Sequence, residues 1–216
     1  EKELKKQIRK DAIWTDVHMA LLEEADSIIQ QPLNECVIIG WRLLDVSRDN
    51  LRRIFILSYA YRMTGNVRFA KRAEAEMLQA ASFPDWNPHF LDVGEMTMAL
   101  AIGYDWLYDR LAEKSKEIIA TAIIEKGLKP SFNTKYNWFV NAVNNWNQVC
   151  HAGVSYGALA IWEKEPELAR KVVNRAVEKI RNPMKHYAPD GAYPEGIVYW
   201  DYGTSFNALF ISAIEK

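Results

Sequence analysis

Apolar residues recur at intervals of three and four along most of the chain, the spacing of one buried helix face. Ile13, Val17, Leu21, Ala25 and Ile28 predict a helix over 12–30, and Val37, Ile38, Trp41 and Leu44 a second over 35–46. Ile54, Leu57, Tyr61 and Met63 predict a helix over 49–64, with Asp49 as its cap and Gly65 as its stop. The same reading gives helices over 66–81, 90–110, 113–127, 145–163, 166–182 and 201–215. Strict apolar–polar alternation, the mark of a half-buried strand, forms no convincing run. The pattern predicts an all-α protein of roughly nine or ten helices.

Most predicted connections are short, which favours antiparallel helical hairpins. Three longer ones are rich in polar and aromatic residues: 82–90 (SFPDWNPHF), 131–145 (SFNTKYNWFVNAVNN) and 185–201 (KHYAPDGAYPEGIVYWD). Loops carried on a rigid scaffold are where function concentrates. No signal region opens the chain, and its last apolar-periodic segment has no stop, so we expect a piece of a longer protein, 1–216 forming one domain of it.

Composition narrows the function. With 27 Lys+Arg against 28 Asp+Glu the net charge is −1, without the basic excess of a nucleic-acid binder. No apolar run reaches the ~18 residues of a membrane span. The two cysteines, Cys36 and Cys150, make neither a disulfide framework nor a metal-ligand spacing. Eight Trp and ten Tyr in 216 residues is a high share, suited to a packed core or to a groove that stacks sugar rings.

Three groups of residues can carry chemistry. In Asn144-Asn145-Trp146-Asn147-Gln148-Val149-Cys150-His151 there are more asparagines than helix capping needs. Asn147 and His151, four apart, share a helix face, and the small residues that follow predict close helix packing. This group reads equally as a hydrogen-bonded core network or as an amide–imidazole cluster facing a ligand. The second group, 189–206, has a Pro-Asp-Gly turn and then Tyr199, Trp200 and Tyr202, which cannot all face one core. The third, 83–90, is stiffened by two prolines, and its His89 stands ahead of a helix whose first turns hold Asp92 and Glu95. Cys150 and His151 project about 100° apart on a helix and do not form a nucleophile–base pair.

At these residues the sequence resembles the heparinase II/III-like polysaccharide lyases. The similar stretches are FPDWNPHFLDVGEMTMALAIGYDWLYD (83–109), NNWNQVCHAGVSYGALAI (144–161) and PDGAYPEGIVYWDYGTSFNALFISAIE (189–215). The resemblance implies an incomplete α/α toroid of helical hairpins, followed in the whole protein by a β-sandwich domain. It implies β-elimination at a uronic acid: the C5 proton is removed, the C4 glycosidic oxygen leaves, and an unsaturated sugar remains. A hydrogen-bond donor stabilises the charge on the C6 carboxylate, and Tyr or His moves the protons. Carried over, Asn147 is the carboxylate neutraliser with Asn145 beside it. Tyr202 is the acid/base, with Tyr199 as its rival, and His151 is a base or second neutraliser. Trp146 and Trp200 stack on sugar rings, while Glu195 and His89 bind substrate. The implied partner is an acidic, glycosaminoglycan-like polysaccharide, with no cofactor, and the location periplasmic or secreted. Because the family takes a further histidine from the β-domain, the chain alone is expected to be nearly inactive.

Two other readings stand beside this one. An inverting glycoside hydrolase on the same scaffold would need two carboxylates ~6.5–9.5 Å apart, with Asp85, Asp190, Glu195 and Asp201 as candidates. A helical scaffold that binds glycan or protein without catalysis would need neither phenol nor amide chemistry.

Overall fold

Asp11, Asn66 and Asn144 set helix starts by hydrogen-bonding the backbone just after them. Asp11 accepts from the N–H groups of Ile13 and Trp14, Asn66 from Arg68 and Asn144 from Trp146. Asp11 thereby separates α1 (Lys2–Lys10) from α2 (Ala12–Gln30). Gly65, at φ +72°, ends α3 (Leu44–Thr64) in the left-handed conformation and turns the chain straight into α4 (Val67–Ser82). Then come α5 (Phe90–Trp106), α6 (Glu113–Ala122), α7 (Asn145–Ala160), α8 (Pro166–Lys179), the single turn α9 (Arg181–Met184) and α10 (Ile197–Ile214). This computed structural model describes residues 1–215, and among them there is no β-strand.

The all-helical class is as the periodicity predicts; several boundaries are not. The helix expected over 35–46 does not form. Residues 32–43 are irregular, and a tight turn there pairs Ile39 with Arg42 through two backbone hydrogen bonds of 2.9 and 3.1 Å. Gly40 in that turn sits at φ +66°, and the β-branched run Val37-Ile38-Ile39 disfavours a helix. Consequently α3 begins at Leu44. Asp49 lies inside it and pairs with Arg52 and Arg53 at 2.7 and 2.6 Å instead of capping. The segment expected to be helical to 127 opens after Ala122 into a wider π turn, 123–128. At the other end, α10 begins four residues earlier than the pattern predicts, so Tyr199 and Trp200 belong to its first turn.

Four helices pack side by side in the order α3, α5, α7, α10, while α4 lies on α3 and α6, and α8 on α7. Their side chains give the direction. Arg48 of α3 meets Glu95 of α5, Gly94 of α5 meets Cys150 and Gly153 of α7, and Thr97 of α5 meets Gly157. Glu195, just ahead of α10, bonds Asn145 at the start of α7, and Tyr156 further along α7 bonds the Leu209 carbonyl of α10. The four run parallel, with their N-terminal ends gathered at one end of the molecule.

Helix α5 is the centre of this arrangement. Every residue from Phe90 to Tyr104 is buried, as a helix covered on all sides requires. It crosses α7 at backbone contact: a Cβ on Gly153 would stand 2.1 Å from the Gly94 carbonyl oxygen. The rest of the core includes Trp86, Phe90, Phe139 and Phe210, all but fully buried. No helix among the described residues is long and apolar enough to cross a membrane.

Since backbone rather than a flexible side chain opposes it, a methyl at 153 forces the two central helices apart. Gly153→Ala is expected to lower stability by about 3 kcal/mol or more, measured as a fall in the denaturant midpoint with little change in slope.

Candidate functional site

Asp92 and Glu95 sit one turn apart near the start of α5, and both are buried. Buried carboxylates need partners, and these two draw theirs from four different segments. Asp92 accepts from the Leu43 backbone N–H and from Asn87 Nδ2, both at 2.7 Å. It also takes Arg42 through Nε at 3.0 Å and Nη2 at 2.9 Å. It therefore anchors the irregular 32–43 segment to the start of α5. Glu95 accepts from Arg48 Nε at 3.1 Å and from the Tyr202 hydroxyl of α10. The Arg48 guanidinium carbon lies 5.1 Å from the centre of the Tyr202 ring. Residues from α3, α5 and α10 thus meet in one cluster, with Tyr202 reaching past α7 to do so.

The electrostatics of this cluster follow from burial. Glu95 is raised above the usual carboxylate range by desolvation, against the pull of Tyr202 and Arg48. Tyr202 is raised well above its ordinary 10, first by burial and then by the charge of Glu95. The phenol keeps its proton and donates to the carboxylate. Arg48 remains 48% exposed along its side chain, so one member of the cluster reaches solvent.

The asparagine motif resolves differently from its expected role. Asn144 is a helix cap. Asn145 gives its backbone N–H to Glu195 Oε2 at 2.7 Å and its side-chain amide to both Glu195 oxygens at 2.9 and 3.0 Å. Glu195, expected to bind substrate, acts here as an acidic cap on the N-terminal end of α7. Asn147 is fully buried. Its Nδ2 donates to the carbonyls of Val140 and Ala142 at 3.1 and 3.0 Å, and its Oδ1 lies 3.0 Å from His151 Nδ1. It has no free donor for a substrate carboxylate. His151 is also fully buried; both neighbours of its Nδ1 are oxygens of Asn147, so that nitrogen carries the hydrogen. Burial and the nearby Arg175 push His151 down to about 3. In this structure both hold the 137–142 turns against α7, Asn147 through its hydrogen bonds and His151 through its ring against Phe139.

The aromatic candidates gather in part. Trp146, half-buried, lies 4.5 Å between ring centres from both His89 and Trp138. Arg42 sits 5.9 Å from the same ring. Trp138 is 54% exposed and offers an open aromatic face at the N-terminal end of the four helices. His89 is lowered by burial and by Arg42, against the charge of Asp92. Trp200 ties its Nε1 to the Gly191 carbonyl at 2.9 Å. Tyr199 is 46% exposed beside the exposed Ile197 and Val198. Of the hydrolase carboxylates, Asp85 and Asp190 accept from the backbone N–H two residues on, closing their own turns.

Among the described residues, no three His, Cys, Asp or Glu side chains gather as metal ligands, and both cysteines are free. A cavity of about 300 Å³ lined by Tyr104, Tyr108, Lys116 and Lys164 lies at the opposite end of the helices from this cluster. The sequence reading assigned no role to Arg42 or Arg48, and treated Asp92 and Glu95 only as helix-dipole partners. The available signal was their place: two acids three residues apart in a helix otherwise apolar for most of its length. No family model matches the chain, and no curated protein matches it.

The buried imidazole makes a pH prediction. The unfolded chain takes a proton on His151 near its ordinary 6.5, whereas the folded one does so only near 3. Acid therefore favours unfolding as pH drops below 6.5, and the stability lost is regained as pH rises. Between pH 7 and pH 5, the wild-type chain should lose about 2 kcal/mol more than His151→Gln, in denaturant titrations at the two pH values.

Proposed function

We propose that this chain is the helical part of a polysaccharide lyase that cleaves uronate polymers by β-elimination. The observation that carries this reading is the meeting of Tyr202, Glu95 and Arg48 from three helices, at the residue the family resemblance marks as acid/base. In the same proposal, α3/α4, α5/α6, α7/α8 and α10 are successive hairpins of an incomplete α/α toroid. Their shared N-terminal end is the substrate face, a β-sandwich domain completes the site, and the protein acts in the periplasm or outside the cell.

The chemistry follows from the cluster. The exposed end of Arg48 pairs with the uronate C6 carboxylate and disperses charge as C5 loses its proton. Tyr202 takes that proton as it passes its own to Glu95, whose proton affinity burial has raised. Electrons of the C5–H bond form the C4–C5 double bond, and the C4–O bond breaks. The same phenol then delivers a proton to the departing oxygen and recovers its own from Glu95, so the cluster ends as it began. Trp146 and Trp138, with Arg42 beside them, supply an aromatic and cationic ledge for neighbouring acidic sugars. Binding of the substrate carboxylate to Arg48 draws countercharge away from Glu95, which strengthens Glu95 as the proton acceptor when it is needed.

The test is absorbance of the unsaturated product from heparin, heparan sulfate, chondroitin, hyaluronan and alginate, using the protein with its β-sandwich domain. One of these polymers should give the chromophore. Tyr202→Phe should cut the rate about 10²- to 10⁴-fold with the fold intact, and Arg48→Ala should raise KM. Reducing ends without the chromophore would point to a hydrolase. No turnover, or an unimpaired Tyr202→Phe, would leave a binding scaffold.

A further inference from the structure

Gln148 of α7 is fully buried, so both ends of its amide need partners. Its Nε2 donates to the Tyr187 hydroxyl at 2.8 Å, and its Oε1 accepts from the Tyr193 hydroxyl at 3.1 Å. The two tyrosine rings stack with centres 4.7 Å apart. Tyr187 in turn shares a 2.8 Å hydrogen bond with Thr204 Oγ1 on α10. Gly203 of α10 lies directly on the same amide: a Cβ there would stand 2.2 Å from Gln148 Oε1 and 2.8 Å from Cδ. Helix α10 is thus fixed to α7 by contact at 203 and by hydrogen bonding at 204, the two positions that follow Tyr202.

Tyr187 and Tyr193 both lie on the connection into α10, and a second clamp, Glu195 on Asn145, holds that connection two residues after Tyr193. The amide therefore sets the rotation and height of α10 at the point from which Tyr202 must span α7 to reach Glu95. Aligned hydrogen bonds weaken steeply outside a narrow range of distance and angle, so a small slide of α10 breaks the Tyr202–Glu95 contact while leaving a helical fold.

We propose that Gln148, Tyr187 and Gly203 are positioning residues whose joint task is to hold the Tyr202 hydroxyl on Glu95. Its functional meaning rests on the reading of Tyr202 as the proton-transfer group. Its test does not need turnover, so the two can fail separately.

The experiment is the NMR shift of the Tyr202 ring carbon bearing the hydroxyl, in protein labelled at that atom of tyrosine. The signal is assigned by its loss in Tyr202→Phe. Glu95→Gln gives the shift for a broken carboxylate bond. Tyr187→Phe, which removes one oxygen, and Gly203→Ala should each move the Tyr202 signal at least half as far. Tyr156→Phe removes a different α7–α10 hydrogen bond, the one to Leu209, and should leave the signal in place. Where elimination is detected, Tyr187→Phe should lower kcat by about 10²-fold with little change in KM. An unmoved Tyr202 signal in folded Tyr187→Phe overturns the proposal, and so does an equal movement in Tyr156→Phe. Should Gly203→Ala fail to fold, Tyr187→Phe decides alone.

Discussion

A helix buried on every side cannot carry bare carboxylates, and α5 carries two. This constraint orders the end of the molecule at which the four parallel helices begin. Desolvating Asp92 and Glu95 costs several kcal/mol each unless charge and hydrogen bonds are brought to them. The partners come from outside α5: Arg42 and the Leu43 N–H from the segment before α3, Arg48 from α3, Asn87 from the preceding loop, and Tyr202 from α10. Neutralising Asp92 pins the irregular 32–43 segment, whose β-branched residues would give it no regular structure of its own. Neutralising Glu95 brings a phenol and a guanidinium together across more than a hundred residues of sequence.

Backbone contact makes that reach possible. Side chains at Gly94 and Gly153 would hold α5 and α7 apart, and Gly203 does the same service between α7 and α10. With α7 sunk between its neighbours, a tyrosine on α10 is long enough to reach α5. The glycines and the acids are thus two halves of one arrangement: small residues bring helices close, and long polar side chains then meet over them. The geometry of such a crossing is set by packing rather than by the mobility of a loop, which suits the proton transfer proposed for Tyr202.

Helix periodicity was readable wherever one face of a helix is buried. Residues 67–82 have such a face, and 12–30 has one in its second half at Ala25 and Ile28; Asp11 caps its first half, where Ile13 and Val17 are exposed. It fails at 35–46, where Val37, Ile38 and Trp41 fall at helical spacing but are half or more exposed, and where Gly40 and three β-branched residues rule against a helix. It also misplaces the starts of α3 and α10. At α3, Asp92 accepts from the Leu43 N–H and supplies what a local cap would otherwise give, and no local pattern encodes a partner about fifty residues away. Helix α10 follows Gly196, at φ +86°, with no capping side chain to mark its start. The site was legible in the same uneven way. Tyr202, Trp146 and His89 stand where aromatic and polar residues crowd the helix starts. Arg42 and Arg48 do not, because an arginine in an amphipathic stretch looks the same whether it faces water or a buried acid.

The asparagine motif shows why a dense polar cluster is a poor guide to chemistry unless burial is known. Asn147 spends both amide hydrogens on the 137–142 turns and His151 gives its Nδ1 hydrogen to Asn147, so no hydrogen-bond donor of theirs is left to meet a ligand, while the buried His151 Nε2 has no partner among the described residues. An amide so engaged stiffens the entry to α7, and the histidine beside it, lowered to about 3 by burial, stays neutral around pH 7. Tyr202 and Glu95 are also partnered, but through Arg48, whose outer half is in water. A polar network closed on itself stabilises a fold; one with an exposed charged member can exchange that member's partner for a substrate and alter the proton affinity of the groups behind it. By that criterion the proposed chemistry is placed at the cluster at the start of α5, and the asparagine motif serves the architecture of α7.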